Sequence, residues 1–200
     1  MAVRTIPSLV VGLGGTGKRA LTHLKRRIYD TYRRTDLPWI RLLSIDTDDA
    51  TVNNPPVVSQ LTGEYIHLSS SEQRIVDQSD TPKVISNLDA PENRHIKEWY
   101  PDPDGLVDFP KAARGSGQVR MFGRIGLYKG ENLHTCYRWL QQAAQEVSDP
   151  AAWDEYSGFA IEPGLQFVYV ICSLCGGTGS GMFLDIAYML RKIVGVDPST

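Results

Sequence analysis

Gly176-Gly177-Thr178-Gly179-Ser180-Gly181 constrains this chain more than any other stretch. It separates an apolar run, Leu165 to Leu174, from a helix-patterned segment, Met182 to Val194. Four glycines in six residues let backbone N–H groups converge with no Cβ atoms in the way. Thr178 and Ser180 add hydroxyl donors, and the helix that follows turns its positive end toward the same place. The chemistry predicted here is a cradle for phosphate.

A second loop of this kind opens the chain. Leu9-Val10-Val11 reads as a buried strand, and Gly12-Leu13-Gly14-Gly15-Thr16-Gly17-Lys18 turns from it into a basic helix. Either loop alone could serve only as a tight strand-to-helix connection. Two in one small domain point to one ligand held from two sides.

At 200 residues and 42% hydrophobic content, the chain suits one globular domain with its own core. A net charge of −2 gives no global reason to expect nucleic acid or an anionic membrane as partner. No apolar run approaches the roughly 20 residues of a membrane span, and no signal-peptide core opens the chain. A cytoplasmic protein is expected. Three cysteines make no disulfide framework. Cys172 and Cys175 form a C-x-x-C pair, but no second pair follows and Cys136 stands apart. Structural cysteines and no metal centre are the expectation.

Strand and helix patterns alternate, which predicts a parallel sheet with helices on its faces. The first strand is read at Ile6 to Val11 and the second at Trp39 to Ile45, ended by Asp46-Thr47-Asp48-Asp49. Between them Leu21, Leu24, Ile28 and Tyr32 mark the buried stripe of a helix. Its other faces carry Lys18, Arg19, Lys25, Arg26, Arg27, Arg33 and Arg34, which read as a solvated surface or, less simply, a docking face. Residues 50–110 read as a partly irregular elaboration. It holds a chain break at Asn53-Asn54-Pro55-Pro56, a third strand at Glu64 to Leu68 and a weak helix at Glu72 to Leu88. Another helical turn or two is read at Asn93 to Tyr100, and a turn at Pro101-Asp102-Pro103-Asp104-Gly105. The framework resumes at Arg114-Gly115-Ser116-Gly117-Gln118, with one helix expected from about Val119 to Val147. Gly164 to Leu174 is expected to be the central strand.

Gly12 to Lys18 nearly spells a P-loop, G-x-x-x-x-G-K. The next position should hold the Mg²⁺-binding Ser or Thr, and it is Arg19. The same residues spell the dinucleotide fingerprint G-x-G-x-x-G, with Asp46 as a candidate ribose ligand. That reading leaves Gly176 to Gly181 unexplained.

A third reading uses every piece. Ser173-Leu174-Cys175-Gly176-Gly177-Thr178-Gly179-Ser180-Gly181-Met182 resembles the glycine signature of the tubulin/FtsZ superfamily. Val11 to Gly17 looks like the first nucleotide loop of that family, and Asp46-Thr47-Asp48 takes the place of the loop after its second strand. Gly115-Ser116-Gly117 followed by Phe122-Gly123-Arg124 is similar to the loop and helix start that face the γ-phosphate there.

The resemblance implies an α/β fold: a Rossmann-like three-layer sandwich with a mostly parallel sheet, spanning 1–200, that binds GTP or GDP. It implies that Gly176, Gly177, Thr178, Gly179, Ser180 and Gly181 wrap the α- and β-phosphates. Gly12, Gly14, Gly15, Thr16 and Gly17 would approach from the neighbouring strand. Asp46 and Asp48 would lie near the phosphates and an accompanying Mg²⁺. Gly115, Ser116, Gly117 and Gln118 would sense the γ-phosphate, with Arg114, Arg120 and Arg124 as nearby cations. Lys18 would face either phosphate or water.

Cys175 departs from the family by standing where its first signature glycine usually is. In the family the base-contacting helix and the loop that completes hydrolysis lie beyond the position of Thr200, so hydrolysis by this chain alone is expected to be incomplete. Nucleotide state is expected to control self-association into a filament or larger assembly. Two alternatives stay open at this point. One is an NAD(P)-binding oxidoreductase fragment that uses Gly12, Gly14, Gly17 and Asp46. The other is a partner-binding domain with a vestigial site, docking through Arg26 and Arg27.

Overall fold

The computed structural model describes residues 3–48, 57–100, 116–153, 159–162 and 167–195. The expected turns at Asn53 to Pro56 and Pro101 to Gly105, together with Asp49, Arg114, Gly115 and Gly164, lie outside these residues.

The opening extended segment is two strands, β1 (Val3–Thr5) and β2 (Ser8–Leu13), where one was expected. Pro7 stands between them and has no N–H to give to a ladder. From β2 the chain enters α1 (Gly14–Tyr32) and returns in β3 (Ile40–Asp46). Two short strands follow, β4 (Val57–Val58) and β5 (Tyr65–Ile66), paired antiparallel to each other. Then come β6 (Gln73–Ile75), α2 (Thr81–Ile85) and α3 (Arg94–Lys97). The second half holds α4 (Arg120–Tyr128), α5 (Asn132–Ser148), β7 (Phe159–Ile161), β8 (Phe167–Cys172) and α6 (Gly177–Val194).

The main sheet has the order β6-β3-β2-β8 with every pairing parallel. β1 pairs with β7 in a separate small sheet. Alternation along β2 serves both faces, as a strand covered on both sides requires. Val10 points into a cluster with Leu21, Ile28, Trp39 and Leu42 under α1. Leu9, Val11 and Leu13 point the other way, onto Leu140, Ala144, Met182 and Ile186 of α5 and α6. Helix, sheet and helix make three layers, which is the Rossmann-like α/β sandwich expected.

Four sequence expectations need correction. The third strand of the main sheet is β6, inside the segment read as a weak helix, whereas the strand expected at Glu64 to Leu68 is reduced to β5 and lies outside that sheet. A tertiary anchor decides this: Glu72, just before β6, accepts Lys25 Nζ of α1 at 2.5 Å and the Ser69 N–H at 2.6 Å. The long helix expected at Val119 to Val147 is two helices, α4 and α5, broken where Gly130 takes a φ of +52°. β8 is an edge strand of the described sheet and not its centre. Finally, the basic surface of α1 is not wholly solvated, since Lys18 and Lys25 are both buried.

Candidate functional site

From β2 the chain passes through α1 to β3 and then β6 on one side, while β8 lies on the other side of β2. Strand order therefore reverses between β2 and β8. In open parallel sheets that point leaves a crevice beyond the carboxyl ends of the strands, where ligands bind. The register pairs Leu13 with Cys172, so the two glycine loops leave the sheet side by side.

The loops touch. Gly14 has a φ of +68°, and a Cβ built there would lie 3.3 Å from Thr178 Cβ and 3.4 Å from the Gly179 nitrogen. The other glycines divide by what surrounds them. Gly12 and Gly17 face each other, a Cβ on Gly12 meeting Gly17 carbon and oxygen at 2.7 Å, so this pair lets α1 approach β2. Gly177 lies against the loop before α4, and a Cβ there would meet the Ser116 oxygen at 2.6 Å. Gly181 lies against Arg120, and Gly123 of α4 against Gly177, so these glycines bring α4 and α6 together. Gly179 is closed in by Cys172 and Ser173. Gly15 and Gly176 have open space, and Thr16, Gly117 and Gln118 are exposed around the same end of the sheet.

A chain of hydroxyls ties the floor together. The Ser116 N–H and hydroxyl both donate to Thr47 Oγ1 at 3.0 Å. Thr47 Oγ1 lies 2.5 Å from Thr178 Oγ1, and Thr178 donates to Asp46 Oδ1 at 3.4 Å. With both lone pairs of Thr47 engaged, its own proton points to Thr178. The polarity therefore runs Ser116, Thr47, Thr178, Asp46 and ends on a carboxylate. Asp46 Oδ1 also accepts the N–H groups of Thr47 at 2.8 Å and Asp48 at 3.4 Å. Burial pushes the Asp46 carboxyl above the ordinary carboxylate range, and those two N–H groups and the charge of Lys18 oppose the shift.

Several donors expected to face a ligand are engaged within the protein. The Ser180 hydroxyl bonds the Gly176 carbonyl, and the Gly177 N–H bonds the Gly117 carbonyl at 2.7 Å. Arg124 is held by Asp185 in a bidentate pair, 3.0 and 3.1 Å, with its guanidinium 4.5 Å from the centre of the Trp99 ring. Arg120 is exposed beside Ser180 and Gly181. Thr47 was missed in the sequence. Its only signal was its place between Asp46 and Asp48, and a threonine there carries no motif. No cluster of three or more metal-ligating side chains occurs among the described residues. No helix among them is long and apolar enough to cross a membrane.

A parallel α/β sandwich with two glycine-loop and helix junctions at its switch point defines the Rossmann-like class of domains. Within that class, the family model described as tubulin-like matches residues 9–198, and the chain belongs to the tubulin-like family. Comparisons with curated proteins and with solved structures return no match.

Proposed function

We propose that this chain binds a guanine nucleotide, GTP or GDP, with its phosphates in the crevice between the β2–α1 and β8–α6 loops. The observation that carries the reading is the contact of Gly14 with Thr178 and Gly179, which joins two helix N-termini at the switch point. A Cβ at Gly15, Gly117 or Gly176 would meet no atom within 4 Å, and Thr16 is exposed, so these loops leave room for a ligand. Asp46 and Asp48 are the carboxylates available to a Mg²⁺ that arrives with the phosphates, an ion that commonly takes only one or two protein ligands. The guanine base and control of self-assembly by nucleotide state rest on membership of the family.

The test is equilibrium binding of fluorescent GTP, ATP and NADH, with and without Mg²⁺, to the wild type and to Gly176→Asp. Gly176 is the N-cap of α6 and has no atom within 4 Å of its Cβ direction. Aspartate there suits a helix start while putting a carboxylate where phosphate belongs. GTP binding lost in a variant at least as stable as the wild type is the expected result. Binding of NADH alone would replace this reading with the dinucleotide one. Light scattering with GTP and with GDP tests the assembly half, and equal scattering in the two would remove it.

A further inference from the structure

α1 carries two buried lysines with opposite circumstances. Lys25 is 7% exposed and its ammonium meets Glu72 at 2.5 Å. Lys18, on the same flank and nearer the helix start, is 8% exposed. Among the described residues no carboxylate lies within 4.0 Å of its ammonium and no hydrogen bond is made by it. A largely buried lysine whose ammonium has no ion-pair partner is costly. Its position adds to the cost, because it follows the glycine loop at the positive end of α1. Asp46 feels the Lys18 charge, but as the weakest of the influences on its own carboxyl. The Lys18 nitrogen is not among the sealed-off polar atoms, so solvent reaches it. A cation held this way, beside Gly15 and Thr16 at the switch point, is matched by an anion that enters from solution.

We infer that Lys18 is a phosphate-binding residue of this site, supplying from within the chain the positive charge that a polyphosphate needs. The inference rests on the nucleotide reading above and adds to it a residue outside the glycine loops. The incoming phosphate oxygens complete the ammonium's hydrogen bonds, and the burial that costs the ligand-free protein strengthens the contact once the anion is in place.

The experiment compares wild type, Lys18→Met and Lys18→Arg in the full chain. Fluorescent GTP binding and thermal midpoints are measured, the midpoints both without ligand and with inorganic tripolyphosphate. Lys18→Met is expected to weaken GTP binding about tenfold to a hundredfold, and Lys18→Arg to restore most of it. Without ligand, Lys18→Met should melt no lower than wild type, because it removes a largely buried charge that has no ion-pair partner among the described residues. Unchanged GTP affinity in Lys18→Met, or its failure to fold, would overturn the inference and leave the nucleotide reading standing. Wild type stabilised by tripolyphosphate but blind to nucleotides would end the nucleotide reading, and loss of that stabilisation in Lys18→Met would still uphold Lys18. Indifference of the wild type to both probes would end both.

Discussion

The main-chain N–H of Gly177 donates to the carbonyl oxygen of Gly117 over 2.7 Å, so the loop ahead of α4 closes directly on the first turn of α6. This contact requires glycine at 177, where a Cβ would stand 2.6 Å from the Ser116 oxygen and 2.8 Å from that of Gly117. Both obstacles are backbone atoms that cannot rotate aside. Gly177→Ala should therefore cost about 1–3 kcal/mol, the range of an overpacked site. The adjacent Gly176 is unobstructed, and as the N-cap of α6 it accepts serine well. Gly176→Ser should leave stability within about 0.5 kcal/mol of wild type or raise it. Urea unfolding of the two variants decides the matter, and equal losses in both would contradict the packing described.

Thr47 joins three segments through one oxygen. It accepts the Ser116 N–H and hydroxyl and donates to Thr178, which in turn reaches Asp46. Thr47→Val keeps the shape and removes the oxygen, leaving the buried Ser116 donors without a partner. The expected loss is about 1–3 kcal/mol. Thr47→Ser, which keeps the hydroxyl, should retain most of the wild-type stability. Amide exchange at Ser116 provides the local readout: it should quicken in the valine variant and stay slow in the serine one. A valine variant as stable as wild type would mean that the hydroxyl chain is incidental.

The sequence made legible those parts of the fold that depend on local pattern. β2, α1 and β3 follow from an apolar run, a helical stripe and a second apolar run, and the glycine loops show where strands turn into helices. β6 was hidden because Gln73-Arg74-Ile75 has little strand character of its own. It is delivered to the edge of β3 by Glu72, which is held by Lys25 from a helix far back in the chain. α4 ends just before Gly130, but Gly123 and Gly126 lie inside α4 itself, so a glycine in this helical pattern is a weak signal of a break. At the site the sequence located the loops, but it could not tell a glycine that clears space for a ligand from one that clears space for a neighbour. Gly15 and Gly176 are open, while Gly12, Gly17, Gly177 and Gly181 are filled by backbone from other elements. The same limit hid Lys18, whose burial depends on what covers it.

The three cysteines should separate cleanly by reactivity. Cys136 lies buried between α5 and the sheet, and burial pushes its thiol up to about 11. Cys172 is half-buried at the end of β8, with its thiol also raised by burial. Cys175 is exposed at the turn into α6. The thiolate is the species that attacks, so exposure and ionisation act together here. Titration with an aromatic disulfide reagent near pH 8 should show one fast thiol, one slow thiol and one that reacts only after unfolding. Cys175→Ser should remove the fast phase alone. A fast phase surviving that substitution would show that the loop or the β8 edge opens more readily than its packing suggests.

Asp46 offers a test by pH. It is 7% exposed, and burial raises its carboxyl above the ordinary value of 3.8. The folded protein therefore holds the Asp46 proton more tightly than the unfolded chain does. The stability this provides is fully present below the unfolded value and is lost as pH rises through the raised one. Asp46→Asn has no such titration, yet its side-chain oxygen can still accept the Thr47 N–H. Contributions from carboxylates that do not interact with Asp46 cancel in the difference. Urea unfolding of the two proteins from pH 4 to pH 7 should thus show wild type losing ground to Asp46→Asn as pH rises, with the difference levelling off once Asp46 is fully ionised. The opposite slope, with wild type gaining on the variant toward neutral pH, would mean that the N–H groups of Thr47 and Asp48 and the charge of Lys18 outweigh the burial of Asp46.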